Sequence, residues 1–286
     1  MLKKNLKKRI MDVLMWFSMC LIVYQCSFAE SLFGKLLISN EESVLEFDIE
    51  SRNVTVLVEH GAYGVYSLDY DYQNRYVYFP RFHAYDIVRF AYPSKNITLQ
   101  HFVTTSLYPA GVAVDSVNGY VYWVNNDVGN KLSRCKSDGS SKIVFFTGLT
   151  NTFTVRLDVT NRWVYIAYFS KGISKSRFDL TDFSMIANFT STTIAMDIDL
   201  TEKRLFWINY VGEIKSSNVD GSEVKTLIST NSGKSHNGLQ VLCSNIYYAD
   251  DNQLIMRNKA QLSTPFVLYT ATSTIDSIYV FKSTGM

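Results

Sequence analysis

The sequence predicts an all-β fold, a six-bladed β-propeller of four-stranded antiparallel blades spanning residues 30–286. Three observations carry that expectation. The chain holds 19 Tyr and 18 Phe among 286 residues, a composition that suits pleated strands better than helices. A tetrad rich in aromatics recurs at nearly constant spacing, the mark of a repeat architecture. The two ends of the chain each hold a fragment of one repeat, and the fragments complete each other. With 47% apolar and 19% charged residues, the chain can bury a sizeable core and does not read as disordered. The 14 Gly and 4 Pro exclude collagen-like and proline-rich classes.

Residues 1–29 read as a secretory signal peptide. Lys3, Lys4, Lys7, Lys8 and Arg9 form a charged start, and an apolar stretch runs from Val13 to Tyr24. Ser27 and Ala29 stand at the small-residue positions before an expected cut ahead of Glu30. The alternative is a membrane anchor, but the run is broken by Ser18 and Cys20 and is short for a span of about 20 residues. Without the leader, 23 basic residues face 25 acidic ones, a net charge of −2. No basic surface for nucleic acid remains. The mature chain is therefore expected to be secreted, with no membrane span. Asn53-Val-Thr, Asn96-Ile-Thr and Asn188-Phe-Thr are glycan acceptor sequons, in keeping with export.

The repeat is defined by five tetrads: Tyr78-Phe79-Pro80-Arg81, Tyr122-Trp123-Val124-Asn125, Tyr165-Ile166-Ala167-Tyr168, Phe206-Trp207-Ile208-Asn209 and Tyr247-Tyr248-Ala249-Asp250. Their first residues are 44, 43, 41 and 41 positions apart, and Leu37-Ile38-Ser39-Asn40 lies 41 residues before the first. An apolar strand ending in Asp precedes the tetrad at Asp69, Asp115, Asp158 and Asp199, and a polar turn follows that often carries a basic residue (Arg75, Arg162, Arg204). A third strand and a turn come next, with Asp138-Gly139-Ser140 and Asp220-Gly221-Ser222 as hairpin signals. A fourth apolar strand closes each unit, as at Val54 to Val58 and Lys225 to Ile228. Four short strands in roughly 42 residues make one propeller blade. Ile275 to Lys282 aligns with a first strand that has no successors, and Lys35 to Glu59 holds a second, third and fourth strand with no first. The C-terminal strand is thus expected to pair with the N-terminal segment and close the ring.

Across 34–286 the repeat resembles the low-density-lipoprotein-receptor class B repeat, whose second strand reads Tyr-Trp-Thr-Asp. Tyr122-Trp123, Phe206-Trp207 and Tyr247-Tyr248-Ala249-Asp250 carry the likeness best, together with the preceding Asp, the intervening Arg and the two Asp-Gly-Ser turns. The departures are that no copy keeps the Thr and only Asp250 keeps the final Asp. The Gly-His and Trp-Asp signatures of the other common propeller repeat are missing. The resemblance implies a ligand-binding propeller. Propellers of that family are commonly followed by a Cys-rich epidermal-growth-factor-like module and a membrane anchor. This chain is expected to be a solitary, secreted version of them.

Candidate chemistry follows from the repeat. Asp69, Asp115, Asp158 and Asp199 could form a carboxylate ring for a hard cation. Their regular place at a strand-to-turn junction favours a structural role, in which turn amides satisfy them. Tyr122, Trp123, Phe206 and Trp207 are read as core residues of the repeat. His60, His83, His101 and His236 show no zinc spacing and are read chiefly as surface residues. An acid-sensing role is the alternative, since the resembled receptors release ligand in acid partly through propeller histidines. Cys135 and Cys243 fall in the second and fifth repeats, opposite each other in a ring of six, too far apart for a bond, and are expected to be unpaired. No metal or other cofactor and no catalytic residue is expected.

The loops joining second to third strands, and those between blades, share one face. Asn53 and Asn96 belong to the opposite face and Asn188 to an outer strand, so the first face is expected to be free of sugar. It carries Tyr63, Phe82, His83, Tyr85, Tyr108, Tyr168, Phe169 and Tyr210, and aromatic loops favour binding hot spots. The function expected is a secreted, non-enzymatic propeller that binds an extracellular protein or peptide. The alternatives are a structural component of an extracellular matrix, and a calcium-dependent lactonase- or esterase-like enzyme.

Overall fold

A computed structural model describes residues 34–282 except Val128, Asn130, Gly148, Thr150, Ser170, Leu180, 189–191 and 231–236. The expected leader and His236 lie outside the described residues. Among the described residues the chain forms six four-stranded antiparallel sheets. We number the blades in chain order: 69–104, 109–146, 152–187, 193–229 and 239–270 are the first to fifth. The sixth blade combines Ile275–Val280 with Lys35–Asn40, Ser43–Asp48 and Val54–Glu59.

The closing pairing is antiparallel, with Leu36 opposite Val280, Leu37 opposite Tyr279 and Ile38 opposite Ile278. Alternation drives it, because Leu36 and Ile38 face the fifth blade's core while Leu37 and Tyr279 face the first's. The head and tail of the chain therefore share one blade, and the six-copy reading of the tetrads holds.

Register places the copies at one height. The first residue of each tetrad pairs with a residue of its blade's innermost strand: Leu37 with Tyr279, Tyr78 with Asp69, Tyr122 with Ala113, Tyr165 with Arg156, Phe206 with Asp197 and Tyr247 with Gln240. The tetrad aromatics fill the wedges between blades, and Trp123 and Trp207 are buried. Arg89 and Arg134, one strand outward, donate to the hydroxyls of Tyr78 and Tyr122 at 3.0 and 3.2 Å. Each buried phenol is thereby satisfied at its polar tip.

The turn between first and second strands is built on the repeat Asp. Asp115 accepts from the backbone and side chain of Asn118, Asp158 does the same with Asn161, and Asp199 accepts from Thr201 N and Glu202 N. Four residues after that Asp the backbone is left-handed, at Arg162 (φ 57°), Lys203 (φ 54°) and Gly119 (φ 67°). In the first blade the position belongs to Asp71, which accepts from Gln73 N and Asn74 N, with Arg75 (φ 58°) at the left-handed site. Asp69 therefore does not belong to this series, although the sequence spacing suggests it; it stands two residues earlier and lines the axial cavity. The spacing misleads because two aspartates, Asp69 and Asp71, flank one tyrosine there.

In the later hairpins Asp138 and Asp220 accept from Ser140 N and Ser222 N at 2.8 and 2.9 Å. Gly221 (φ 88°) must be glycine, since a Cβ there would lie 1.7 Å from the carbonyl oxygen of Ile186 in the neighbouring blade. Cys135 is free and buried, and burial pushes its thiol up to about 12. Cys243 is disulfide-bonded, and not to Cys135, which is free. The expectation of two unpaired cysteines therefore holds for Cys135 alone. No disulfide joins Cys135 to Cys243.

Candidate functional site

The two ends of the axis differ in chemistry. At the face of the blade-to-blade connections, aromatic rings gather. Phe82, His83 and Tyr85 lie on the loop between Tyr76–Arg81 and Asp86–Ala91. A forked ion pair closes this loop, with Arg81 Nη2 2.6 Å from Asp86 Oδ2 and Nε donating to Oδ1 at 2.9 Å. The backbone of the preceding connection holds it from the other side, as Phe82 N donates to Gly64 O and His83 N to Tyr63 O.

The ring of Phe82 then meets His83 and Tyr108, each at 5.0 Å, and Tyr85 meets Tyr108 edge-on at 5.4 Å. Two residues that sequence reasoning missed complete the group. Tyr66 lies 5.3 Å from Phe82 and 5.4 Å from Phe153, and Phe153 reaches Phe169 at 6.4 Å. A sequence signal for them existed, since Tyr66 and Phe153 each stand five residues before a turn aspartate, Asp71 and Asp158. Both therefore sit at the axial rim of the first and third innermost strands. Between them the second blade has Ala110 and Gly111, and a Cβ on Gly111 would come within 2.8 Å of Phe153 O. The small residues let the flanking rings meet.

The other residues expected on this face are placed as follows. Tyr63 is exposed, with Arg81 over its ring at 5.1 Å. Phe169 is exposed at the edge of the group, whereas Tyr210 is 64% exposed on the fourth blade, outside the ring contacts found among the described residues. Tyr168 does not reach the face. It is buried in the third blade's core, its hydroxyl 3.0 Å from Ser174 Oγ. His60 is buried rather than superficial, with Nδ1 2.7 Å from Gly61 O and its ring against Phe79, and burial lowers its pKa. His101 is exposed on the outer strand Gln100–Thr104. Asn53 and Asn96 are exposed on the opposite, turn-bearing face. Asn188 is exposed just after Ser184–Ala187, where the chain enters a blade connection. That sequon therefore lies at the edge of the face expected to be sugar-free.

At the sixth blade's rim Asp276 comes close enough to Tyr66 to raise the phenol's pKa beyond the effect of burial. Burial, then the charge of Glu41, pushes the Asp276 carboxyl up to about 7.

At the turn-bearing face the axis opens into a cavity of about 360 Å³. Its polar wall is the register level described above, with Asp69, Arg156, Asp197, Gln240 and Tyr279, plus Lys282 beyond the last strand. Asp69 accepts from Tyr70 N at 2.8 Å and from Val114 N at 2.7 Å. Asp197 Oδ2 accepts from Val241 N at 2.8 Å and from Lys282 Nζ at 2.9 Å, and Arg156 Nε is 3.6 Å from Oδ1. Burial pushes Asp69 up to about 6 against the opposing pull of Arg156. Among the described residues, no group of three or more His, Cys, Asp and Glu side chains is arranged to hold a metal.

No known family profile matches the sequence. Among curated proteins, the chain is 25% identical over 172 residues to a vitellogenin receptor of Solenopsis invicta, a match covering 56% of this chain. It spans 10% of that receptor's length. Among solved structures, a chain in the crystal structure of a nidogen/laminin complex superposes with a TM-score of 0.74 at 18% identity, over 85% of this chain and 97% of that one. The solved structure shows the fold, a six-bladed propeller, and the repeat is similar to the low-density-lipoprotein-receptor class B repeat.

Proposed function

We propose that the chain is a secreted, extracellular, non-enzymatic propeller that binds a protein or peptide partner on its connection face. The observation that carries this reading is the contiguous group of Tyr66, Phe82, Tyr85, Tyr108 and Phe153, with exposed Tyr63 and Phe169 at its margin. Partly exposed aromatics held on a rigid frame supply binding area at small entropic cost, and such residues dominate interface hot spots. The comparisons support the reading, one similar protein being named a receptor and the other solved in a complex with a protein. A matrix component is the neighbouring version of the same reading. Cleavage ahead of Glu30 and sugar on Asn53, Asn96 and Asn188 belong to this proposal, and N-terminal sequencing with glycopeptide mapping of the exported protein tests them.

The binding test uses the propeller as bait in its native extracellular fluid, beside a Tyr85→Ser/Tyr108→Ser/Phe169→Ser variant and a turn-face control, Lys203→Glu. The expected result is a partner retained by the wild type and the control but weakened at least about tenfold by the triple variant, each hot spot contributing about 2 kcal/mol or more. Equal retention by a triple variant that melts normally would move the site elsewhere.

A further inference from the structure

We propose that the axial cavity on the turn-bearing face is a binding site for a small organic monocarboxylate with an apolar body, separate from the aromatic face. The site is built into the innermost strands. Because the tetrad register sets one height in every blade, the side chains of Tyr279, Asp69, Arg156, Asp197 and Gln240 converge on the axis, with only Ala113 contributing no polar group. Its volume, about 360 Å³, lies in the range of small-molecule pockets, roughly 300–1,000 Å³.

The polar groups are unequally satisfied, and this inequality sets the sign of the ligand. Both oxygens of Asp69 accept backbone amides, and Asp197 accepts an amide and the Lys282 ammonium. The acids are used up in joining the first blade to the second and the fourth to the fifth. Among the described residues, the guanidinium of Arg156 donates to the carbonyl of its neighbour Val155 at 3.0 Å and makes a long ion pair with Asp197, Nε to Oδ1 at 3.6 Å. Arg156 lines the cavity, and the planar fork of a guanidinium is matched by a carboxylate.

The same acids exclude other anions. Asp69 and Asp197 balance Arg156 and Lys282, so the ring holds no surplus positive charge to offset the desolvation of a phosphate dianion, which costs more than that of a single negative charge. The rest of the wall is apolar, with Val114, Val117, Leu157, Val159 and Leu200 running from the register level to the mouth. A carboxylate on Arg156 would lay its hydrocarbon body along them.

The experiment is calorimetric titration of the whole propeller with benzoate and with octanoate, alongside benzyl alcohol and inorganic phosphate. Saturable binding of one carboxylate, with a Kd of about 1 mM or below, and at least tenfold weaker binding of benzyl alcohol and phosphate is the expected result. Arg156→Gln should weaken the carboxylate at least tenfold. Val117→Trp, which crowds the mouth at an exposed position and leaves every charge in place, should do the same in a protein that melts like the wild type. Failure of both carboxylates to bind the wild type, or undiminished binding by Val117→Trp, overturns the proposal. Neither outcome touches the aromatic face, whose test uses a different partner and different variants.

Discussion

The two ends of the propeller's axis are built from the same six strands, only three residues apart, yet they solve opposite problems. At the connection face, Tyr66 and Phe153 occupy the rim position of the first and third blades and pack with Phe82 and Tyr108. Apolar rings need no particular partner, so part of their surface can remain open without cost in unsatisfied polar groups. At the turn-bearing face, Asp69 and Asp197 are drawn into the axis and must be satisfied, which they achieve by accepting the amides of Val114 and Val241 in the next blade. One end is held by packing and stays adhesive. The other is held by directed bonds between blades and sets a ring of polar groups in an otherwise apolar cavity. The second and third strands keep the wedges alike, and the innermost strand is where the copies are free to differ.

The strongest way to break this contrast is to remove the strand both ends share. Ile275–Val280 places Asp276 at the aromatic rim and Tyr279 in the polar ring, with Lys282 just beyond. Ile275, Ile278, Tyr279, Val280 and Phe281 are all buried. At about 1.5–3 kcal/mol per buried side chain, their loss removes about 7–15 kcal/mol, as much as the whole net stability of a domain, about 5–15 kcal/mol. Deleting 275–286 should give a chain without a cooperative melt that aggregates through the exposed edge of Lys35–Asn40. A truncated protein with a normal melt would mean that the ring closes without its shared blade.

Asp197 sharpens the contrast at the polar end alone. Asp197→Ala strands the amide of Val241 and leaves Arg156 and Lys282 without their common counter-charge. Urea unfolding should show a loss of about 3 kcal/mol, the scale for breaking a buried pair from one side. Asp197→Asn keeps an acceptor for Val241 and should lose less. Equal losses from the two variants would show that the amide bond contributes nothing to joining the blades.

The fold was legible because its signal is redundant. Each tetrad, turn aspartate and hairpin glycine repeats the same instruction, and Gly221 shows how little freedom such positions have. The sites were only partly legible, because they arise where the repetition lapses. Tyr66 and Phe153 stand out only when residues are compared at the same offset from the turn aspartate, and the doubled aspartates of the first blade hid that offset. Phe82, His83, Tyr85 and Tyr108 were readable as loop aromatics, but Tyr168 was not separable from them. It ends a strand, and only its packing against Ser174 tells that it points inward. The polar ring was invisible in one dimension because its members come from five blades and, Asp69 and Asp197 apart, differ in residue type.

The smallest expected effect tests whether a charge at the aromatic end behaves differently from one in the polar ring. Asp69 has Arg156 to oppose its burial, whereas Asp276 has Glu41 adding to it, which puts its carboxyl at about 7. An unfolded aspartate titrates near 3.9. Between those values the native state keeps a proton that the unfolded state releases, so this group's contribution to stability is fullest in acid and is lost as pH rises through about 7. Asp276→Asn holds the neutral state permanently. The variant should exceed the wild type by about 1–2 kcal/mol at pH ~8, a figure reduced for the solvent that reaches this half-buried carboxyl, and the advantage should vanish below about pH 4. Buried His60, whose lowered pKa makes its own contribution fall as pH drops, acts equally in both proteins and cancels in the difference. Urea midpoints measured across that range decide it. A difference that does not change with pH would mean that Asp276 is ionised at the rim throughout, and that the aromatic end tolerates an unpaired charge as readily as the polar ring tolerates its paired ones.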